Sequence, residues 1–277
     1  MVIFGTVGIV RSFIPYPSGL IACVRGAVGC LFLLAAVFLR GKRPDLAAIR
    51  RNFLLLCLSG ALLGANWVCL FEAYRFTSIS TATMCYYMAP VFVVLVSLPV
   101  LKERLTPKRL CCCAAAFIGM VLVSGVLGTA DFSAEGVLFG LAAAVMYAGL
   151  IILNKLMKDI SALDRTLVQL GVSALAVLPY ALFSEDITAL QPSFSGTALL
   201  PMAGILHTGI AYAMYFGSIE KLPAQTTALF SYIDPVTAVI LSAVVLHEQI
   251  SLPTAVGIVL VLGSAAAGEI SFKKKSA

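Results

Sequence analysis

Five ionisable side chains stand inside long apolar stretches of this sequence: Arg11, Arg25, Glu72, His207 and Asp234. A charge surrounded by hydrocarbon is costly, so such groups mark a path for a ligand, an ion or a proton by default. Asp234 lies about midway along its stretch, directly before Pro235. A carboxylate there can hold a proton or a cation, cap a helix kink, or pair with Arg11. His207, between Leu206 and Thr208, carries an imidazole that can exchange protons near neutral pH or rest as a hydrogen-bonded core group. Arg25 and Glu72 are placed to meet as a structural ion pair. The candidates for coupling chemistry are therefore Asp234, His207 and Arg11.

A second set of residues combines an apolar body with a polar tip. Asn66, Trp67, Tyr86, Tyr87, Tyr147, Tyr212 and Tyr232, with His207, could line a mixed polar and aromatic pocket for an amphipathic or cationic solute. Some of these rings would equally suit the belts at a membrane–water interface. Pro90 and Pro235 each remove one helical hydrogen bond and release the carbonyls of Tyr86 and Ser231. Matching kinks could act as gates or as static bends. Gly60 with Gly64, and Gly26 with Gly29 and Cys30, are spaced for close helix packing.

The elements that must position these residues follow from composition. Of 277 residues, 61% are hydrophobic and 12% charged, a balance that a water-exposed surface does not tolerate. Without water to satisfy the backbone, spanning segments must be helices or closed barrels, and the runs here are continuous rather than alternating. An all-α membrane protein is expected, with about ten transmembrane helices near 1–14, 18–39, 52–75, 78–100, 109–128, 134–156, 161–183, 196–219, 223–246 and 251–270. The first is shorter than a full span. The eight cysteines fall in or at the ends of apolar runs and read as small packing residues. No metal-ligand spacing and no cofactor motif is present, so neither a metal nor a cofactor is expected.

Basic residues set the orientation. Sixteen of the nineteen, among them Arg40, Lys42, Arg43, Arg50, Arg51, Lys102, Arg104, Lys155, Lys158, Arg165 and Lys273 to Lys275, fall in alternate connections. By the positive-inside rule those connections and both termini are cytoplasmic. The opposite connections hold Asp131, Glu135, Glu185, Asp186 and Glu248 and no lysine. The net charge of +6 is thus a topology signal, and no nucleic-acid partner is implied.

Shifting the chain by 145 positions aligns Phe71 with Phe216, Thr81 with Thr226, Tyr87 with Tyr232, Pro90 with Pro235, Ser97 with Ser242 and Glu103 with Glu248. Paired Pro, Tyr and Glu at one offset indicate a duplicated five-helix unit. An odd number of helices inserts the second copy upside down, and each basic connection does face a charge-poor counterpart. Asp234 has the apolar Ala89 as its repeat partner, so one copy alone carries a carboxylate at bilayer depth.

The stretches AYRFTSISTATMCYYMAPVFVVLVSLPVLKERLT and KLPAQTTALFSYIDPVTAVILSAVVLHEQIS resemble the drug/metabolite transporter superfamily, specifically its EamA (RhaT-like) family. Arg25 in LIACVRGAVG and Gly5 in FGTVG also fit that family's pattern, whereas the first helix falls short of it. The resemblance implies two inverted EamA-like repeats, residues 1–130 and 131–277, in the plasma or inner membrane. It implies a secondary active transporter of an amino acid, drug-like or other amphipathic metabolite, with export the expected direction and a proton or other gradient as the drive. Its partners would be that small molecule and the lipid bilayer, as a monomer or a homodimer. A facilitative uniporter or exchanger is the alternative. An intramembrane enzyme would need a nucleophile motif that the sequence lacks, and a channel would need a ring of subunits or a filter.

Overall fold

The computed structural model describes residues 1–7, 10, 13–39, 41, 43–77, 79–102, 106–123, 133–185, 193–245 and 251–269. Arg11, Arg40, Lys42, Glu103, Arg104, Asp131, Asp186, Glu248 and Lys273 to Lys275 lie outside the described residues, as does the boundary expected at residue 130. Among the described residues every regular element is helical. In order these are α1 Val2–Gly5, α2 Ser18–Leu39, α3 Leu46–Arg51, α4 Phe53–Phe76, α5 Ile79–Tyr86, α6 Ala89–Val100, α7 Pro107–Val123, α8 Ala134–Leu156, α9 Ala162–Ser184 and α10 Phe194–Ala203. A π-helical segment, Gly204–Ile210, then leads into α11 Ala211–Ile219, followed by α12 Ala224–Ser231, α13 Ile233–Val245 and α14 Leu252–Glu269.

Among the described residues, five stretches are long and apolar enough to cross a membrane: Gly19–Leu39, Phe53–Phe76, Ala134–Leu156, Ala162–Ser184 and Phe194–Ile219. Ala89–Val100, Leu110–Val123 and Leu252–Ala267 are shorter apolar helices. The expected segments 78–100 and 223–246 are each split in two. Local sequence sets the starts: Ser133, Ser161 and Ser193 turn their hydroxyls onto the amides of Gly136, Asp164 and Gly196, and Asp45 accepts from Ala47 and Ala48 to begin the short α3.

The distribution of side chains is inverted relative to a water-soluble bundle. Phe194, Phe183, Val259 and Leu138 point outward, whereas Asn66, Ser59, Gln169, Asn154, Arg165, His207 and Thr208 are buried. Outside faces of this kind belong against lipid, and the polar groups must find partners within the bundle. Helices then associate through close van der Waals packing rather than hydrophobic burial. A Cβ on Gly60 would stand 2.7 Å from Val172 Cβ, and one on Gly64 would stand 2.9 Å from the Ser173 carbonyl oxygen. These glycines let α4 approach α9 as their spacing suggested. The helices pack in pairs: α2 on α9, α4 on α8 and α9, α6 on α8 and α12, α7 on α14, α1 on α13, and the π segment on α2.

Candidate functional site

Two helix breaks build the centre of the bundle. The helix α5 stops at Tyr86, Met88 N–H turns back to the Cys85 carbonyl at 3.1 Å, and α6 begins at Ala89 with Pro90 in its first turn. In the second half α12 stops at Ser231, Tyr232 N–H donates to the Leu229 carbonyl at 3.2 Å, and α13 begins at Ile233 with Asp234 in its first turn. Proline lacks the N–H that a helix interior requires but suits a first turn, so each proline marks a restart rather than a bend in a continuous helix. The two breaks stand 145 residues apart, and Tyr87 and Tyr232 occupy them. Asp234 therefore offers its carboxyl at the amino end of a half-helix, where the peptide dipoles favour negative charge.

Between the breaks lies a cavity of about 60 Å³ lined by Tyr86, Tyr87, Pro90, Tyr147, Tyr212 and Asp234, with Met1, Phe4, Ala89 and Ser231. The rings interlock: Tyr86 packs on Tyr87 and on Tyr147, each at 5.7 Å between centroids, and Phe4 meets Tyr212 edge-on at 5.1 Å. A second space of about 220 Å³ adjoins it past Phe4, bounded by Met214, Tyr215, Ser218, Leu222 and Phe230. The central cavity is well below the roughly 300 Å³ at which small-molecule pockets begin.

The remaining residues singled out from the sequence lie elsewhere. His207 sits in the π segment just beyond Pro201, 1% exposed, with Nε2 at 2.7 Å from Thr6 Oγ1. Its Nδ1 is buried without a partner. Trp67 meets Tyr212 edge-on at 6.2 Å, behind the cavity wall, and carries the Arg25 guanidinium 5.8 Å from its ring centre. The protein's own cation thus occupies the aromatic face that a cationic solute would use. Asn66 Nδ2 donates to the Ala143 carbonyl at 2.6 Å and ties α4 to α8. Tyr232 is buried among Cys112, Met120, Val236 and Val261, facing α7 and α14. Pro235 is buried one residue beyond Asp234 and does not line the cavity. Arg11 lies outside the described residues.

The expected Arg25–Glu72 pair does not form. Arg25 Nε donates to Thr208 Oγ1 at 3.1 Å, while Glu72 pairs with Arg75 at 3.0 Å and accepts the Tyr180 hydroxyl. Glu72 lies one helical turn from Arg75 on the same helix, so its nearest cation needs no tertiary contact. Arg165, expected in a cytoplasmic connection, is 0% exposed: it pairs with Glu220 at 2.8 Å and donates to the Asn154 and Phe216 carbonyls at 3.2 and 2.7 Å. Lys155, also expected in a connection, reaches the carbonyls of Ile219, at 3.0 Å, and Leu222. These two cations serve the end of α11 rather than water. A further polar knot escaped a search restricted to ionisable groups: Gln169 Nε2 donates to Ser59 Oγ at 2.6 Å and to Asn154 Oδ1 at 2.7 Å. Its signal was Gln169 and Asn154, two amides inside apolar runs.

The sequence pattern of the EamA-like transporter family matches residues 1–125 and 134–267. The uncharacterized transporter YxxF of Bacillus subtilis (strain 168) is 28% identical over 269 residues, covering 96% of this chain and 86% of that protein. Protein PecM of Dickeya dadantii (strain 3937) is 27% identical over 274 residues, 95% of this chain and 87% of that one. A crystal structure at 22% identity superposes with a TM-score of 0.84 over 96% of this chain and 93% of its own, which establishes the likeness of fold.

Proposed function

The chain belongs to the EamA-like transporter family and is a multi-pass membrane protein, and from that premise we propose that it is a secondary active transporter that moves a small amphipathic metabolite by alternating access. The paired helix breaks at Tyr87 and Tyr232 carry this reading, because they interrupt the helix at equivalent points of both halves beside one cavity. Ten crossings in two inverted repeats, 1–130 and 131–277, fit the packing. Exchanging the halves maps α4 against α9 onto the π segment against α2 and α1 against α13 onto α8 against α6, and maps α2–α9 and α7–α14 onto themselves. Gly64 approaches Ser173 on α9, and Gly209, 145 residues later, approaches Gly29 on α2. Such pseudo-symmetry lets one packing open to one side and its mirror to the other. The distribution of basic residues supports an orientation with both termini cytoplasmic, in a plasma or inner membrane.

Asp234 is the coupling residue in this reading. It is the carboxyl of the central cavity, it stands at a half-helix amino end, and the Tyr87 hydroxyl lies against it. Protonation of such a group would change the charge of the cavity and the balance between its open forms. The test is reconstitution in liposomes with an imposed pH gradient, using a radiolabelled solute selected by thermal-shift screening. Asp234→Asn is expected to abolish gradient-driven accumulation while solute counterflow persists. Driven accumulation equal to the wild type would remove Asp234 from coupling and favour a facilitative exchanger.

A further inference from the structure

Arg25 lies seven residues into α2, roughly 10 Å along the helix at about 1.5 Å per residue. Three elements hold its guanidinium. It belongs to α2, its Nε donates to Thr208 Oγ1 in the π segment, and its Cζ lies over the Trp67 ring of α4. Thr208 is itself fixed by donation to the Ala203 carbonyl at 3.3 Å, five residues back. The π segment is what turns this hydroxyl toward Arg25.

The guanidinium nevertheless has no acid partner among the described residues. The ion pairs there are Arg51–Asp159, Arg75–Glu72 and Arg165–Glu220. The contrast with Arg165 is informative, since that fully buried arginine receives a carboxylate and two carbonyls. Trp67, Thr208 and His207 around Arg25 are buried, whereas Arg25 itself is partly exposed, and among the described residues its terminal nitrogens have no hydrogen-bond partner. A fork of N–H donors at that depth, left open on one side, matches the two oxygens of a carboxylate. The neighbouring rings of Trp67 and Tyr212 offer apolar surface beside it.

We propose that Arg25 is an anion subsite of the solute pathway, and that its ligand is an organic carboxylate whose apolar part rests against Trp67 and Tyr212. The transport reading is needed for the fate of this ligand, not for its binding. Trp67 is the sole tryptophan of the chain, so its emission reports directly on the subsite.

The experiment titrates the purified full chain, in lipid-free dodecyl maltoside, with three isosteric probes: 3-phenylpropanoate, 3-phenylpropan-1-ol and 3-phenylpropylamine. A saturable change in Trp67 emission is expected with the acid and not with the alcohol or the amine. Arg25→Gln should weaken the acid by about ten-fold or more, as loss of a charge-assisted bidentate contact predicts, and Arg25→Lys by less. Equal saturation by the alcohol or the amine, no saturable change with any probe, or a wild-type titration by Arg25→Gln would overturn the proposal. So would displacement of the acid by phosphatidylglycerol with the same emission change, which would assign the subsite to a lipid headgroup. If Arg25→Gln fails to fold, the ranking of the three probes on the wild type decides alone. Radiolabelled 3-phenylpropanoate that binds but shows no counterflow in liposomes would count against the transport reading and leave the anion subsite standing.

Discussion

Arg165 and Glu220 form a 2.8 Å ion pair that is lopsided in exposure: the arginine side chain is 0% accessible and the glutamate 35%. The arginine is anchored in α9, and its other donors close the carbonyls of Asn154 and Phe216, so it knits α8 and α9 to the end of α11. Its charge cannot reach water, whereas that of Glu220 can.

This asymmetry predicts that the exposed partner is the more damaging one to neutralise. Glu220→Gln strands a buried cation and should cost about 3 kcal/mol, whereas Arg165→Met leaves a carboxylate that water can solvate and should cost about 1–2 kcal/mol. Thermal unfolding of the two variants in one detergent checks the order. A larger loss for Arg165→Met would mean that its two carbonyl contacts outweigh the ion pair.

Glycine position decides whether a methyl group is tolerated. Gly60→Ala sets a Cβ 2.9 Å from the Gln169 carbonyl oxygen and should force α4 from α9 at about 1–3 kcal/mol. Gly263→Ala meets nothing within 4 Å and should be neutral or stabilise by up to about 1 kcal/mol. Melting temperatures of the pair provide the comparison.

Not every interior hydrogen bond carries equal weight. Asn66→Leu removes one bond to a carbonyl and also removes an Oδ1 that has no partner, so its net cost should stay below about 1 kcal/mol. Gln169→Leu unpairs Ser59 and Asn154 together and should cost about 2 kcal/mol. Denaturation by sodium dodecyl sulfate, followed by circular dichroism, would separate them.

If the breaks are the moving joints, Pro235→Ala should restore a helical donor to the Ser231 carbonyl and leave folding intact. Counterflow should then slow by roughly ten-fold, equivalent to about 1.4 kcal/mol in the barrier. An unchanged rate at an unchanged melting temperature would make the break a static packing feature.

In a cysteine-free background, a cysteine replacing Arg50 should react with an impermeant maleimide only after the cells are permeabilised. Labelling of intact cells would reverse the orientation argued from the basic residues.

Much of the architecture is legible in residue order. Hydrophobic runs locate Phe53–Phe76 and Ala134–Leu156 to within one or two residues, because burial in lipid requires every residue of a span to be apolar on average. The proline pair was equally visible, yet its outcome as helix restarts was not, since a proline inside a helix permits either a kink or a break. Arg165 was assigned to a connection because position along the chain places it near a helix start; only contact with α11 draws it into the core.

The sequence by itself determined the class, the approximate spans, the 145-residue duplication and the asymmetry between Asp234 and Ala89, all of which reside in local composition and spacing. Tertiary structure alone decided that Tyr86, Tyr87, Tyr147 and Tyr212 share a cavity with Asp234, that Asn66 and Tyr232 do not, and that Arg25 faces Trp67 instead of Glu72. The physical reason is that a lipid-embedded helix is apolar all round. No amphipathic stripe marks its inner face, so its rotation is set by glycine contacts and polar partners on other helices.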